Sequence, residues 1–176
     1  MKIGSTSENL ENEKRISITP DIVKKYLSIG FKIFLSKNYG SHLGFNDDVY
    51  KDLGVNILDN DKEVIDNSDI IIQLGLPSEE KLTILKENQI LIGSLNAYLN
   101  RDKIKNLYKK KISSFSLELL PRITRAQSMD ILSSQANLAG YKAVVESFAN
   151  FEKAIPMMMT AAGTVPAAKV LVVGAG

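Results

Sequence analysis

Pro121-Arg-Ile-Thr-Arg-Ala-Gln-Ser-Met-Asp130 gathers two guanidinium groups, a carboxamide and a carboxylate into one short stretch, and Ser133 and Ser134 follow closely. If the stretch opens a helix, Gln127, Asp130 and Ser134 are spaced to share one face, with Ser133 beside them. A Gln amide both donates and accepts, so Gln127 can hold a planar carboxamide such as that of nicotinamide. An ion pair between Arg122 and Asp130 would keep such a site rigid. The same spacing also describes an ordinary helix start, with Ser128 as cap and Asp130 near the positive end of the dipole. Spacing alone favours that plainer reading.

The second chemical signal is at the other end of the chain. Val170-Leu-Val-Val173 has the pattern of a buried strand, and Gly174-Ala-Gly176 follows without a gap. In a dinucleotide fold the first glycine permits a tight turn and the second lets a pyrophosphate approach the backbone. Gly174 and Gly176 are therefore candidate cofactor-binding residues. A half-motif by itself equally describes a strand that runs into a flexible glycine tail.

Other chemistries are excluded or weak. The chain has no Cys, which removes disulfides, thiolate metal sites and Cys nucleophiles. Its single His, His42, lies in the Gly40 to Phe45 loop, where a surface role is the plainer reading. Arg15 could contact an anion, although a lone Arg after a polar loop is usually a solvated charge. The net charge of +2 is spread along 176 residues and does not point to nucleic acid. No apolar leader follows Met1. Pro156, Pro166 and Lys169 break up the apolar Ala154 to Gly176 region, so it reads as buried strand plus loop rather than a membrane span.

The elements that must position these residues follow from periodicity. Lys2-Ile3-Gly4, Phe31 to Leu35, Asp69 to Gln73, Gln89 to Gly93 and Ile112 to Leu117 read as strands, with a short one near Gly54 to Ile57. The continuous apolar runs suit strands buried on both faces of a parallel sheet. Helices fall between them: from Thr19-Pro20-Asp21 to Gly30, from Pro77-Ser-Glu-Glu80, and over Asn100 to Lys110. This alternation predicts a doubly wound, mostly parallel α/β domain of flavodoxin-like or Rossmann-like type over residues 1–127. One long helix is expected over Ser128 to Lys153. A loop and the first strand of a second Rossmann domain are expected over 154–176.

Taken together, these segments resemble the alanine dehydrogenase and pyridine nucleotide transhydrogenase family along essentially the whole chain. The stretch from Asn12-Glu-Lys-Arg15 to Thr19-Pro20 is similar to the family's N-terminal signature. Arg122 to Tyr141, and Thr160-Ala-Ala-Gly163 through Val173-Gly-Ala-Gly176, resemble its transhydrogenase branch. The resemblance implies that Arg122, Gln127, Asp130 and Ser133 surround the dihydronicotinamide of NAD(H). It implies hydride transfer from NADH to NADP+, with NADP(H) on a partner component and proton translocation through a membrane-embedded one. Homodimerisation, and a place on the cytoplasmic face of a bacterial inner membrane held by those partners, are implied as well. Hydride transfer between two nicotinamides needs apposition rather than a proton-shuttling side chain, which agrees with the lack of an acid–base pair.

Two rivals remain. An alanine dehydrogenase of the same family uses a Lys before a Glu-Pro pair and a His after a later strand, where this chain has Gly75 and Asn96. Neither can titrate near neutral pH. The other rival is a non-catalytic split subunit that docks onto a partner carrying the rest of the nucleotide fold.

Overall fold

The computed structural model describes residues 1–174. Contacts divide it into two units, Met1–Asp130 and Ile131–Gly176.

The first unit is built on a six-stranded parallel sheet. Its strands are β1 (Lys2–Ser5), β2 (Lys32–Ser36), β3 (Asn56–Leu58), β4 (Ile70–Ile72), β5 (Ile90–Gly93) and β6 (Ser113–Ser116). They lie in the order β3-β2-β1-β4-β5-β6, so the winding direction reverses between β1 and β4. The connecting helices are α1 (Pro20–Ser28), α2 (Asp47–Asp52), α3 (Asp61–Asp66), α4 (Glu79–Ile84) and α5 (Arg101–Lys109). The doubly wound α/β expectation is met, and every strand expected between residues 1 and 120 is present.

Successive strand residues point to opposite faces, and the core records it. Ile70 joins a cluster with Ile3, Ile33, Leu35, Val23 of α1 and Tyr50 of α2. Its neighbour Ile71 joins the opposite cluster with Ile65 of α3, Leu82 of α4, Leu91 and Leu107 of α5. Burial on both faces is the reason these strands carry continuous apolar runs.

The helix ends follow local chemistry. Pro20 opens α1 at its first turn, but Thr19 makes no side-chain cap bond. Gly30, at φ 87°, turns the chain out of α1 into β2. Asn60 and Ser78 cap α3 and α4 by accepting the Glu63 and Lys81 amides. The two short helices α2 and α3 escape a periodicity reading because each is only six residues long.

From Thr124 onward the structure departs from expectation in three places. The long helix, α6 (Ile131–Ala149), starts after Ser128 and stops short of Lys153. Residues Thr124–Met129 form a 3-10 segment instead. Asp130 then stands extended (φ −73°, ψ 92°) just ahead of the first turn, where a short acidic side chain is favoured over a helical interior. Beyond α6, a hairpin replaces the expected loop: β7 (Met158–Thr160) pairs antiparallel with β8 (Gly163–Val165). The Thr160 hydroxyl closes its turn by donating to the Gly163 carbonyl at 2.9 Å and accepting the Ala162 amide at 3.2 Å.

The strand expected at Lys169 to Val173 is not one, because among the described residues no other strand pairs with it. Leu171 and Val173 are 89% and 91% exposed, whereas a Rossmann first strand is buried in a parallel sheet. No described helix is long and apolar enough to cross a membrane.

Candidate functional site

In open α/β sheets, ligands bind beyond the carboxyl ends of the strands, at the point where the strand order reverses. Here that point lies between β1 and β4. A cleft of about 310 Å³ opens there, lined by residues that include Ser7, Glu8, Asn9, Leu76, Ser78 and Lys81.

Gln73 and Lys81 in its lining belong to a chain of internal hydrogen bonds. The Tyr39 hydroxyl accepts the Ser17 and Ile18 amides at 3.0 and 3.1 Å, and pairs with the Ser5 hydroxyl at 2.9 Å. Ser5 donates to Gln73 Oε1 at 3.0 Å, so the single Ser5 proton assigns the shared bond to the Tyr39 proton. Gln73 Oε1 also accepts the Thr6 amide at 3.1 Å, and Gln73 Nε2 donates to Thr6 Oγ1 at 2.8 Å. Lys81 Nζ finishes the chain, donating to Thr6 Oγ1 at 3.1 Å and the Ser7 carbonyl at 2.6 Å. It also pairs with Asp61 at 2.8 Å. These groups hold one another, and sequence reading missed them because Ser5, Gln73 and Lys81 come from different strands and helices.

Glu8 at the lip accepts the Leu74 amide at 2.7 Å, and burial pushes its carboxyl pKa up. Arg15 finds its carboxylate inside the chain. Its Nε donates to Glu13 Oε1 at 2.8 Å and its terminal nitrogen meets Glu13 Oε2 at 2.5 Å. The Arg15 hydrogen bond draws the Glu13 pKa down. His42 lies exposed in its loop, with Nε2 2.7 Å from the Lys14 carbonyl.

The two positions that separate the rivals lie in the loops after β4 and β5. Gly75 has open space where a Cβ would stand, so the missing side chain is not excluded by packing. Asn96 sits at φ 48°, a left-handed turn that Asn tolerates better than most residues. Neither residue supplies an acid or a base.

The 121–130 segment leaves the carboxyl end of β6 at the far edge of the sheet. It is almost wholly exposed, with Ala126 as its buried anchor at 6% exposure. Short-range bonds from the Ala126 amide to Ile123 and from the Asp130 amide to Gln127 coil it. Arg122 Nε lies 3.8 Å from Asp130 Oδ2. An ion pair that loose and half-exposed contributes about 0–1 kcal/mol, but it joins the two ends of the segment, with Gln127 between them in sequence.

The structure thus keeps Arg122, Gln127 and Asp130 on one segment, but Gln127, Asp130 and Ser134 do not lie in one helix as expected. The 3-10 turn and the extended Asp130 break that helix. Ser133 is the third residue of α6 and belongs to the second unit. Gly174 has φ 87°, which fits a tight turn. Gly176 lies outside the described residues.

Residues 4–139 match the family described as "Alanine dehydrogenase/PNT, N-terminal domain". The chain belongs to the alanine dehydrogenase/PNT family. Within that family it is 41% identical, over its full length, to the first part of the NAD(P) transhydrogenase subunit alpha of Rhodospirillum rubrum, and covers 47% of that protein. It is 30% identical to the alanine dehydrogenase of Methanococcus maripaludis, again over its whole length and 48% of the relative. The crystal structure of the transhydrogenase from Sinorhizobium meliloti superposes with a TM-score of 0.89 at 36% identity, over 96% of this chain and 50% of that one. The chain therefore spans about half the length of these family members.

Proposed function

We propose that this chain is a portion of the NAD(H)-binding component of a proton-translocating transhydrogenase, which passes a hydride from NADH to NADP+ held by a partner component. The observation that carries the reading is the exposed 121–130 segment, where an Arg122–Asp130 pair brackets a Gln127 carboxamide. Its amide offers the donor and acceptor that a nicotinamide carboxamide requires. Resemblance to transhydrogenases over the full chain supports the same choice.

In this reading Gln127 orients the dihydronicotinamide through its carboxamide, and Arg122 and Asp130 hold the segment that carries it. Ser133 supplies a hydroxyl at the start of α6. Gly174 and Gly176 approach the pyrophosphate. The bound nicotinamide supplies the hydride; these side chains supply orientation. Direct transfer between two nicotinamides needs near-attack geometry and no titrating side chain, so Gly75 and Asn96 are no handicap. Oxidative deamination of alanine needs acid–base groups, which argues against the amino-acid dehydrogenase reading.

A membrane-embedded component for the proton path, a separate NADP(H)-binding component and a second copy of this subunit complete the proposed assembly. It would lie peripherally at the cytoplasmic face of the inner membrane. The test uses the complete protein with its NADP(H)-binding component. It should oxidise NADH at the expense of an NADP+ analogue and show no L-alanine-dependent reduction of NAD+. The reverse result refutes the proposal.

A further inference from the structure

In the function proposed above, the 121–130 segment must hold a ring in reacting geometry. Ala126 is buried and Asp130 partly so, while Arg122, Gln127 and Met129 stand exposed. What fixes the root of the segment, between the end of β6 and Pro121, bears on where it points.

That root is Leu117–Leu119, a 3-10 turn. At its centre Glu118 reaches across to the loop that follows β5. Glu118 Oε2 accepts the Leu95 amide at 3.2 Å, and Oε1 accepts the Ala97 amide at 3.1 Å. The Ser116 hydroxyl also donates to Oε1. Between the two amides, Asn96 holds its left-handed φ of 48°. Two backbone N–H groups converging around such a residue form a concave donor pair suited to an anion. The anion is the chain's own carboxylate, brought from more than twenty residues away. Burial works to raise the Glu118 pKa, but the Ser116 hydroxyl and the backbone amides outweigh it and draw it down.

Resting on the function proposed above, we propose that Glu118 is a positioning residue for hydride transfer: its carboxylate clasps the β5 loop and so fixes the root of the segment that presents Arg122, Gln127 and Asp130. Arg122 is four residues from the clasp. A released chain of that length can swing its end by up to about 13 Å. A misplacement of about 1 Å in a reacting geometry costs roughly 100-fold in rate. Even slight loosening at Glu118 therefore slows the transfer, while NADH binding, which rests on the glycine loop, changes little.

Glu118→Ala removes both acceptors. Glu118→Gln keeps one oxygen for Ala97 and Ser116 but sets an NH2 against the Leu95 amide, so it retains the fold and half of the clasp. Two measurements decide the matter. In residues 1–176, backbone amide exchange should accelerate at Leu95, Ala97 and residues 120–130 in both variants, by about tenfold or more for Glu118→Ala. In the complete protein with its NADP(H) component, the rate per folded molecule should fall about 10- to 100-fold in Glu118→Ala and less in Glu118→Gln, with the Kd for NADH within about threefold of wild type. Unchanged exchange at 120–130 overturns the clasp. A per-molecule rate equal to wild type in both variants, or a Kd that weakens as much as the rate falls, overturns the positioning role. A wild-type protein that transfers no hydride refutes the function proposed above and the role in transfer with it, and the exchange result still decides whether the clasp exists.

Discussion

Gln127 and Asp130 act on orientation rather than on grip in the proposed reaction, and this separates their effects from those of the glycine loop. Gln127→Ala or Asp130→Ala in the complete protein should lower the single-turnover hydride-transfer rate by about 10- to 100-fold, with the NADH Kd changed less than about threefold. Stopped-flow absorbance and a fluorescence titration read the two quantities, and equal losses in both contradict the orienting role. Glu118 adds a pH signature. Its carboxyl is held below the ordinary value of 4.5, so the folded state binds fewer protons than the unfolded state as pH falls. Its contribution is complete above about pH 4.5 and is lost as pH drops through the folded pKa. Glu118→Gln should therefore flatten the acid limb of Tm against pH below about 4.5. An acid limb as steep in the variant as in wild type sinks this expectation. The residue types at 122–130 made their chemistry readable from the sequence. The partner of Glu118 was not, because nothing local links it to Leu95.

At the scale of elements, strands β4 and β5 approach closely where each leaves the sheet. A Cβ on Gly93 would stand 2.4 Å from the Gln73 carbonyl oxygen, a backbone atom with little room to move. Gly75, two residues beyond Gln73, has nothing within 4 Å of its Cβ position. Gly93→Ala should destabilise the first unit by about 1–3 kcal/mol through overpacking. Gly75→Ala should stay within about 0.5 kcal/mol of wild type, as surface substitutions away from special features do. Urea unfolding with unchanged m-values measures both, and equal effects contradict the packing argument. The strands were legible because burial on two faces leaves continuous apolar runs. The start of α6 was not, because Asp130 fits a helical spacing and a helix-preceding position equally well.

For the molecule as a whole, the first unit has a six-stranded sheet and two packed faces, whereas residues 170–173 stand exposed with no paired strand among the described residues. The proposed pyrophosphate loop follows that segment directly. Residues 1–176 alone should accordingly show no NADH binding tighter than about 100 μM by calorimetry. Micromolar affinity would mean that the N-terminal unit grips the dinucleotide itself, contrary to the division of labour proposed here. The switch-point cleft between β1 and β4 belongs to the same scale. It exists because of strand order, and Gln73 and Lys81 in its lining are tied by hydrogen bonds to Ser5, Thr6 and Tyr39 from other regions of the chain.

The sequence by itself determined the α/β alternation, the parallel sheet, the family resemblance and the candidate residues Arg122, Gln127, Asp130 and Ser133. The alternation and the sheet follow from local periodicity, which acts within a few positions along the chain, whereas the four residues are candidates because the resemblance implies their role. Only the tertiary structure decided that Gln127 lies on a 3-10 turn rather than a helix face, that Lys169 to Val173 pairs with no strand among the described residues, and that Arg15 is already clasped by Glu13. It alone brought Glu118 to the Leu95 and Ala97 amides. A hydrogen-bond ladder or a carboxylate clasp needs a partner at a particular place in space, and no pattern within one segment records where that partner stands.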